Sequence, residues 1–537
     1  MTARTAGGIL GAAGMIAVIT LLSRLVGFVR WLVHSWMLEG GSATAGAYAT
    51  ANQIPNILFE VAAGGALASV VVPLLAGPLA RSLRTEVDRT ASALLTWALL
   101  VLVPLGAAVA LGADLVAELL PDSASLSAAE AAESDALVAH LLRVFALQIP
   151  LYGVGIVLSG VLQAHKRFFW PAVAPLLSSV VVIASYVVFG ALADGAQSDP
   201  GALPAAARAW LAWGTTAGVV AMSLPLLLPV WRLGVRLRPA VHFPAGEAGH
   251  ALRLAGAGLG ALLAQQVAVL SVVVLAPLGG DPGTLSIFQY AQAVYLLPYA
   301  VFAVPLATAV FPHLSELAST RSGEFARLAA SSTRVILVVG FVGMAVLLAD
   351  APTAPAIFRV TDALADAISW LAPGVVGFAL IFHASRVLYA VDRGRAAVTA
   401  TAAGWIVVVL VSAVLVAVLA PAGGDSPATL RALAMGNSAG MLVAGAGLLA
   451  ALHRVTEGGA VGTARTLGVG LGGALAGGAL GRLAVDAVLG LTGPTIAGSV
   501  LAAVPGAVLG AGLTVLAVHL FDRGTLAPVY TRFGGTP

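Results

Sequence analysis

The chain has no cysteine, a single lysine (Lys166), and charged residues at only 9% of its 537 positions. Without cysteine it can form no disulfide, no thiolate metal site and no cysteine nucleophile. The scarcity of charge excludes a soluble domain large enough for separate chemistry. Hydrophobic residues make up 59% of the chain and the mean hydropathy is +0.99. This composition is typical of a polytopic membrane protein.

Sequence motifs for common active sites are also absent. There is no G-x-x-x-x-G-K-[ST] motif for nucleotide phosphates, and none of the nine histidines has H-E-x-x-H spacing. No catalytic residue, metal site or cofactor is therefore predicted, and nucleic acid is not a predicted partner. The sequence indicates a transporter rather than an enzyme, with no ATP hydrolysis by this chain.

Apolar stretches of the length needed to cross a hydrocarbon layer of roughly 30 Å recur along the whole chain. They predict an all-α membrane protein with about fourteen transmembrane helices. The predicted spans are 8–37, 45–77, 90–113, 136–164, 170–194, 206–231, 250–278, 284–312, 328–349, 364–389, 396–420, 428–452, 465–489 and 495–521.

Charge in the loops predicts the orientation. Basic residues follow the even-numbered spans, whereas the loop after span 3 is acidic. The basic residues after spans 2, 4 and 6 are Arg81, Arg84, Arg89, Lys166, Arg167, Arg232, Arg236 and Arg238. Because basic loops stay in the cytoplasm, both termini are predicted to be cytoplasmic.

An internal repeat is visible at an offset of six spans. Residues 67–75 (LASVVVPLL) resemble residues 306–314 (LATAVFPHL), and residues 159–167 (SGVLQAHKR) resemble residues 385–393 (SRVLYAVDR). An even offset gives the two halves the same orientation, as in transporters built from parallel repeats. The binding site is then expected at the interface of the halves.

The repeat and the span count together predict three regions. They are an N-terminal lobe of spans 1–6 (1–240), a C-terminal lobe of spans 7–12 (241–457), and a helix pair with a short cytoplasmic tail (458–537).

Arg24 and Arg30 are the most informative charged residues, because both lie within the first apolar span and no carboxylate is near them in sequence. An arginine deep in a membrane helix costs roughly 2.5 to 3.5 kcal/mol, so it usually faces a water-filled cavity and meets an anion or an ion pathway. The alternative is an arginine near a helix end that extends to the interface.

Span 2 carries the second unusual group, Asn56 and Glu60, which follow Pro55. Proline removes a backbone donor, so the helix is expected to bend or unwind at Pro55. Asn56 and Glu60 are four residues apart and share one face of the helix. Glu60 is expected to pair with Arg24 or Arg30, to bind a proton, or simply to anchor the two helices. The predicted substrate-binding residues are thus Arg24, Arg30, Asn56 and Glu60.

Several of these segments together resemble the MurJ/MviN family of lipid II flippases. The resemblance covers essentially the whole chain and rests on residues 23–30, 55–56, 65–74, 165–168 with Pro171, and 298–312. It implies two six-helix lobes of the multidrug/oligosaccharidyl-lipid/polysaccharide (MOP, MATE-like) exporter superfamily, with a groove for the lipid tail at spans 13 and 14. The cargo it implies is lipid II, the undecaprenyl-pyrophosphate-linked peptidoglycan precursor, carried across a bacterial plasma membrane.

Guanidinium groups suit a pyrophosphate because they supply both charge and paired hydrogen-bond donors. Arg24 and Arg30 match the family's two first-span arginines. Three other charges of the family pattern are replaced, by Phe59-Glu60 in span 2, Trp31 in span 1 and Ala293 in span 8. A rebalanced cavity is the favoured explanation of these losses.

Coupling to the membrane potential or a cation gradient is expected from the resemblance. Where some members carry an acidic sodium ligand in span 7, this chain has Gln265-Gln266, so no sodium site is predicted. The expected partners are lipid II, membrane lipids and cell-wall synthesis proteins.

Other functions stay open at this stage. One is export of another polyprenyl-linked saccharide, and another is a non-transporting cell-wall scaffold, for which the lost charges argue mildly. A multidrug antiporter would favour carboxylates rather than Arg24 and Arg30 in its cavity. A membrane-embedded polymerase would be expected to have larger extracytoplasmic loops than residues 114–135.

Overall fold

The computed structural model describes residues 3–61, 68–242, 259–318, 323–456 and 462–525. Within those ranges the regular structure is helical and no residue lies in a strand. The chain divides into two compact units. Unit 1 comprises Met1–Asp122 and Leu126–Gln266, and unit 2 comprises Ser123–Ser125 and Val267–Pro537. The three predicted regions are not tested by this division and stay a prediction.

Among the described residues, ten α-helices lie entirely in unit 1, and an eleventh crosses its boundary with unit 2. They are α1 (Ala3–Leu38), α2 (Ala43–Phe59), α3 (Ala68–Ala80), α4 (Arg84–Leu111), α5 (Ala113–Leu119), α6 (Ala128–Phe145), α7 (Gln148–Ala164), α8 (Phe169–Ala193), α9 (Ala205–Ser223), α10 (Leu227–Arg232) and α11 (Leu259–Gly279).

The next α-helices among the described residues belong to unit 2. They are α12 (Thr284–Pro298), α13 (Val304–Ala318), α14 (Gly323–Asp350), α15 (Ala354–Phe358), α16 (Ala363–Leu371), α17 (Gly374–Ala390), α18 (Gly394–Leu419), α19 (Ser426–Val455), α20 (Thr463–Thr492) and α21 (Ile496–Phe521).

Membrane-spanning helices account for most of the described residues. Twelve are long and apolar enough to cross a bilayer, and α16 with α17, bent by 45°, makes a thirteenth. These thirteen coincide with predicted spans 1 and 3 to 14. Predicted span 2 corresponds to α2 and α3, on either side of residues 62–67, which lie outside the described residues. The prediction of a multi-pass all-α membrane protein is confirmed, and the count of fourteen is approximate.

The sequence predicts that the helix of span 2 bends or unwinds at Pro55, and the backbone instead leaves α-helical geometry after Phe59. The helix continues through Pro55 to Phe59, and Glu60 and Val61 then adopt π-helical geometry. The change of geometry comes about one turn after the proline rather than at it. In unit 2, α12 likewise ends at Pro298 and a π-helical segment, Tyr299–Ala303, follows. Such π segments are rare and occur frequently at functional sites.

The internal repeat is also visible in the packing. In unit 1, α3 packs against α7, and in unit 2, α13 packs against α17. These are the two helix pairs whose sequences resemble each other at an offset of six spans. Two similar sequence pairs thus form the same helix contact in both units, which supports the prediction of two pseudo-symmetric lobes.

The last two helices, α20 and α21, belong to unit 2 and pack against each other and against α14. Their backbones are close, since a Cβ built at Gly477 would lie 2.7 Å from Gly510 O and one at Gly481 would lie 2.8 Å from Gly506 O. Gly472, on the same helix, has no such neighbour within 4 Å. Gly477 and Gly481 of α20 therefore allow its backbone to pack closely against α21.

Candidate functional site

Arg24 and Arg30 both project from α1. They are six residues apart, which separates them by about 9 Å along the axis and about 120° around it. Arg24 is exposed and Arg30 is half-buried. The Cζ atom of Arg30 lies 5.9 Å from the centroid of the Trp31 ring. Among the described residues, no ion pair includes either arginine, so both charges are available to an anion.

The far end of α1 is anchored by a buried aromatic and hydroxyl cluster. The His34 ring lies 5.1 Å from the Tyr48 ring and 5.0 Å from the Tyr186 ring. The hydroxyls of Tyr48 and Tyr186 are 2.7 Å apart, and Tyr48 Oη lies 3.3 Å from Thr215 Oγ1. These contacts join α1, α2, α8 and α9. They fix the helix face from which Arg30 projects, one turn before His34.

Asn56 is tied to α7 rather than to α1. Tyr152 Oη donates a hydrogen bond to Asn56 Oδ1 at 3.2 Å, and Gln148 Oε1 lies 3.5 Å from the same hydroxyl. Gln148 Nε2 donates in turn to Thr216 Oγ1 at 3.1 Å. Arg30 and Glu60 both lie within electrostatic range of Tyr152. Tyr152 therefore contacts one of the four predicted site residues, Asn56, directly.

Glu60 lies on the π-helical turn after α2, with an exposed side chain. In the part of the chain that the structure describes, no ion pair joins Glu60 to Arg24 or Arg30. The expectation that Glu60 sets the geometry of the arginines stays a prediction.

Aromatic rings lie against two residues of the candidate site. Phe59 packs on Tyr152 with ring centroids 4.4 Å apart, and Trp31 lies beside Arg30.

Unit 2 contains an arginine that the sequence reasoning did not select. Arg386 Nη1, on α17, donates to Thr308 Oγ1 of α13 at 3.1 Å. Its Cζ atom lies 3.9 Å from the Phe382 ring centroid and 5.8 Å from that of Phe311. Among the described residues it has no carboxylate partner. The sequence signal was its place in the segment 385–393, which was used only to identify the repeat.

Within the described ranges, no group of three or more histidine, aspartate or glutamate side chains is placed to hold a metal ion. Gln265 and Gln266 lie on α11.

A protein-family sequence model described as "Lipid II flippase MurJ" matches residues 38–467 of the chain. The chain belongs to the MurJ family. The probable lipid II flippase MurJ of Thermotoga maritima is 30% identical over 301 residues, which cover 55% of this chain and 55% of that protein. The chain thus spans about half the length of that MurJ relative.

Solved structures share the fold. A lipid II flippase MurJ in an inward closed conformation matches with a TM-score of 0.69 and 18% identity, over 95% of this chain and 99% of the other. An inward-facing multidrug MATE transporter of the MOP superfamily matches with a TM-score of 0.63 and 15% identity, over 82% and 98%. The MurJ and MATE likeness confirms the predicted fold class.

Gly27 offers a direct probe of the space between Arg24 and Arg30. It lies three residues from each, and a Cβ built on it would have no heavy atom within 4 Å. Because glycine inside a helix costs about 1 kcal/mol relative to alanine, Gly27→Ala is expected to leave stability unchanged or slightly higher. Gly27→Leu is expected to keep the fold but to weaken lipid binding several-fold by occupying that space.

Thermal unfolding and lipid binding of the purified Gly27 variants measure the two effects separately. Unchanged binding by a folded Gly27→Leu protein would show that the substrate does not use this face of α1.

Proposed function

We propose that this chain moves lipid II from the cytoplasmic to the outer leaflet of the bacterial plasma membrane by alternating access. The observation that carries the proposal is the pair of arginines on α1 of a MurJ-family chain, with no ion pair to either among the described residues. An arginine in a membrane span is expensive unless it has a partner. A pyrophosphate provides that partner, because its oxygens accept paired hydrogen bonds from guanidinium groups.

In this proposal Arg24 and Arg30 bind the pyrophosphate, and Asn56 and Glu60 belong to the same binding site. Asn56 is held by Tyr152, which also lies within electrostatic range of Arg30. Both termini lie in the cytoplasm, which the basic residues after the even-numbered spans support. The membrane potential or a cation gradient supplies the energy, and cell-wall synthesis proteins act beside the transporter.

Native mass spectrometry tests the proposal with the purified full chain. Lipid II, undecaprenyl phosphate and a bulk anionic phospholipid are offered to the wild type and to Arg24→Ala. We expect the wild type to retain lipid II preferentially and the variant to lose about tenfold in affinity, because hydrogen bonds to charged groups contribute roughly 1.5 to 3 kcal/mol.

Equal retention of all three lipids, unchanged in Arg24→Ala, would contradict the assignment. It would favour a different cargo or a scaffold without transport. Preferential binding of another polyprenyl-linked saccharide in the same assay would keep the site and change the cargo.

A further inference from the structure

Unit 1 contains a cavity beside the predicted site. It has a volume of about 250 Å³ and lies among α2, α3, α7, α8 and the end of α9. Phe59 and Tyr152 line it, together with Ser159, Gln163 and Met222. Phe59 and Tyr152, which pack against each other next to Asn56, thus both face the cavity. Typical sites for a whole drug-sized ligand measure roughly 300 to 1,000 Å³, so this cavity fits a single ring rather than a complete lipid headgroup.

The hydrogen-bonding groups of the cavity lie along α7. Tyr152, Ser159 and Gln163 are seven and four residues apart, which places them on one side of the helix over about 16 Å. Among the described residues, the side chains of Ser159 and Gln163 make no hydrogen bond. The serine hydroxyl and the glutamine amide can each both donate and accept. The cavity therefore presents uncharged groups that are ready to bind a polar ligand.

The chemistry of the lining excludes two classes of ligand. Among the described residues, none that lines the cavity is charged, so an anion would lie there without a counter-charge. A purely apolar chain would cover the half-buried Ser159 hydroxyl and leave it unpaired, at a cost of about 1 to 3 kcal/mol. A neutral ring with one apolar face and several hydroxyl or amide substituents satisfies both requirements, since its apolar face can pack on Phe59 and Met222.

We propose that this cavity binds a sugar ring of the lipid-linked substrate, with Ser159 and Gln163 hydrogen-bonding its substituents. The proposal rests on the function proposed above and extends it by naming where unit 1 recognises the saccharide. Tyr152 lines the cavity and donates a hydrogen bond to Asn56, so the cavity lies next to one of the predicted site residues.

The test compares the affinity of the protein for a lipid that carries the sugar with its affinity for a lipid that lacks the sugar. Affinities for lipid II and for undecaprenyl pyrophosphate are measured by native mass spectrometry for the wild type, Ser159→Leu and Gln163→Ala. Ser159→Leu fills the cavity, whereas Gln163→Ala removes hydrogen bonds without adding volume. We expect each variant to lose about three- to tenfold in lipid II affinity, the size of one or two lost hydrogen bonds, and to bind undecaprenyl pyrophosphate as the wild type does.

Val180→Phe is the matched control, because Val180 is 53% exposed on α8 and the change adds volume outside the cavity. Thermal unfolding verifies that all variants are folded. An unchanged preference for lipid II in both cavity variants would overturn the sugar site and leave the proposed function standing. Equal loss of both lipids would overturn it as well, since the pyrophosphate would then be the group affected. Failure of the wild type to bind either lipid above a bulk phospholipid would instead overturn the proposed function.

Discussion

Replacing Arg30 by alanine is expected to weaken lipid II binding by at least tenfold without lowering the stability of the protein. Arg30 is half-buried, and among the described residues it has no carboxylate partner. If a phosphate of the lipid accepts paired hydrogen bonds from the guanidinium, removing that group costs roughly 1.5 to 3 kcal/mol of binding free energy. Stability should hold, because the variant removes a charge that is expensive in the membrane and loses only a weak contact with Trp31.

The Arg30→Lys variant separates charge from geometry. Lysine keeps the positive charge but lacks the planar pair of donors. We expect its lipid II affinity to lie between those of the wild type and Arg30→Ala. A structural role for Arg30 would instead lower the thermal midpoint of Arg30→Ala and reduce the binding of all lipids alike.

Arg81→Ala is the control for this series. Arg81 lies in the turn between α3 and α4, where Nη2 is 3.9 Å from Glu86 Oε2, and both side chains are exposed. Exposed pairs of this kind contribute about 0 to 1 kcal/mol. The change removes an arginine outside the membrane spans and is expected to leave lipid II binding unchanged. Lipid II binding by Arg30→Ala at the wild-type level would contradict the proposed role of Arg30.

Most membrane spans were predictable because length and hydropathy are local properties of the sequence. The span predicted at 396–420 corresponds to α18, Gly394–Leu419, within two residues at each end. The effect of Pro55 was placed one turn too early. A proline specifies a missing hydrogen bond, but the packing around the helix decides where the backbone departs from α-helical geometry.

The candidate site was predictable only in part, because its hydrogen bonds join residues far apart in the chain. Asn56 was selected for its polarity within an apolar span, yet its partner Tyr152 lies 96 residues further on. No local pattern marks such a contact. Arg386 was passed over for a related reason. It entered the sequence argument only as part of the repeat 385–393, and only the packing of α13 on α17 places it against Thr308 and Phe382.

Substitution of Gly377 is expected to have the largest effect on stability. Gly377 lies on α17, and a Cβ at this position would overlap the carbonyl group of Met441 and lie 2.9 Å from Leu442 N. All of these are backbone atoms of α19, so no side-chain rotation can make room. Gly377→Ala is expected to cost at least 1 to 3 kcal/mol, the usual range for overpacking, and Gly377→Leu more than that.

The matched control is Gly472→Ala on α20, because nothing lies within 4 Å of a Cβ built at Gly472. At such an open helix position, replacing glycine by alanine stabilises the protein by about 1 kcal/mol, which is the opposite direction to the effect expected at Gly377. The thermal midpoint and the monodisperse fraction in detergent should fall for Gly377→Ala and hold or rise for Gly472→Ala. A stabilised Gly377→Ala protein would show that α17 and α19 are not in close contact.

The contact at Gly377 also bears on the arginine of unit 2, because Arg386 lies nine residues further along the same helix. The backbone N–H of Gly374 donates to Ser438 Oγ at 3.1 Å, so the start of α17 is fixed against α19 on two successive turns. If α17 is displaced by an added methyl group, Arg386 has to move away from Thr308 and Phe382. Gly377→Ala should therefore disturb the contact of Arg386 with Thr308 as well as the packing of α17 on α19. Arg386→Ala removes only one hydrogen bond and the ring contacts of a partly exposed guanidinium, so it should lower the thermal midpoint less than Gly377→Ala does. A lower midpoint for Arg386→Ala than for Gly377→Ala would contradict the dominant role of the backbone contact at Gly377.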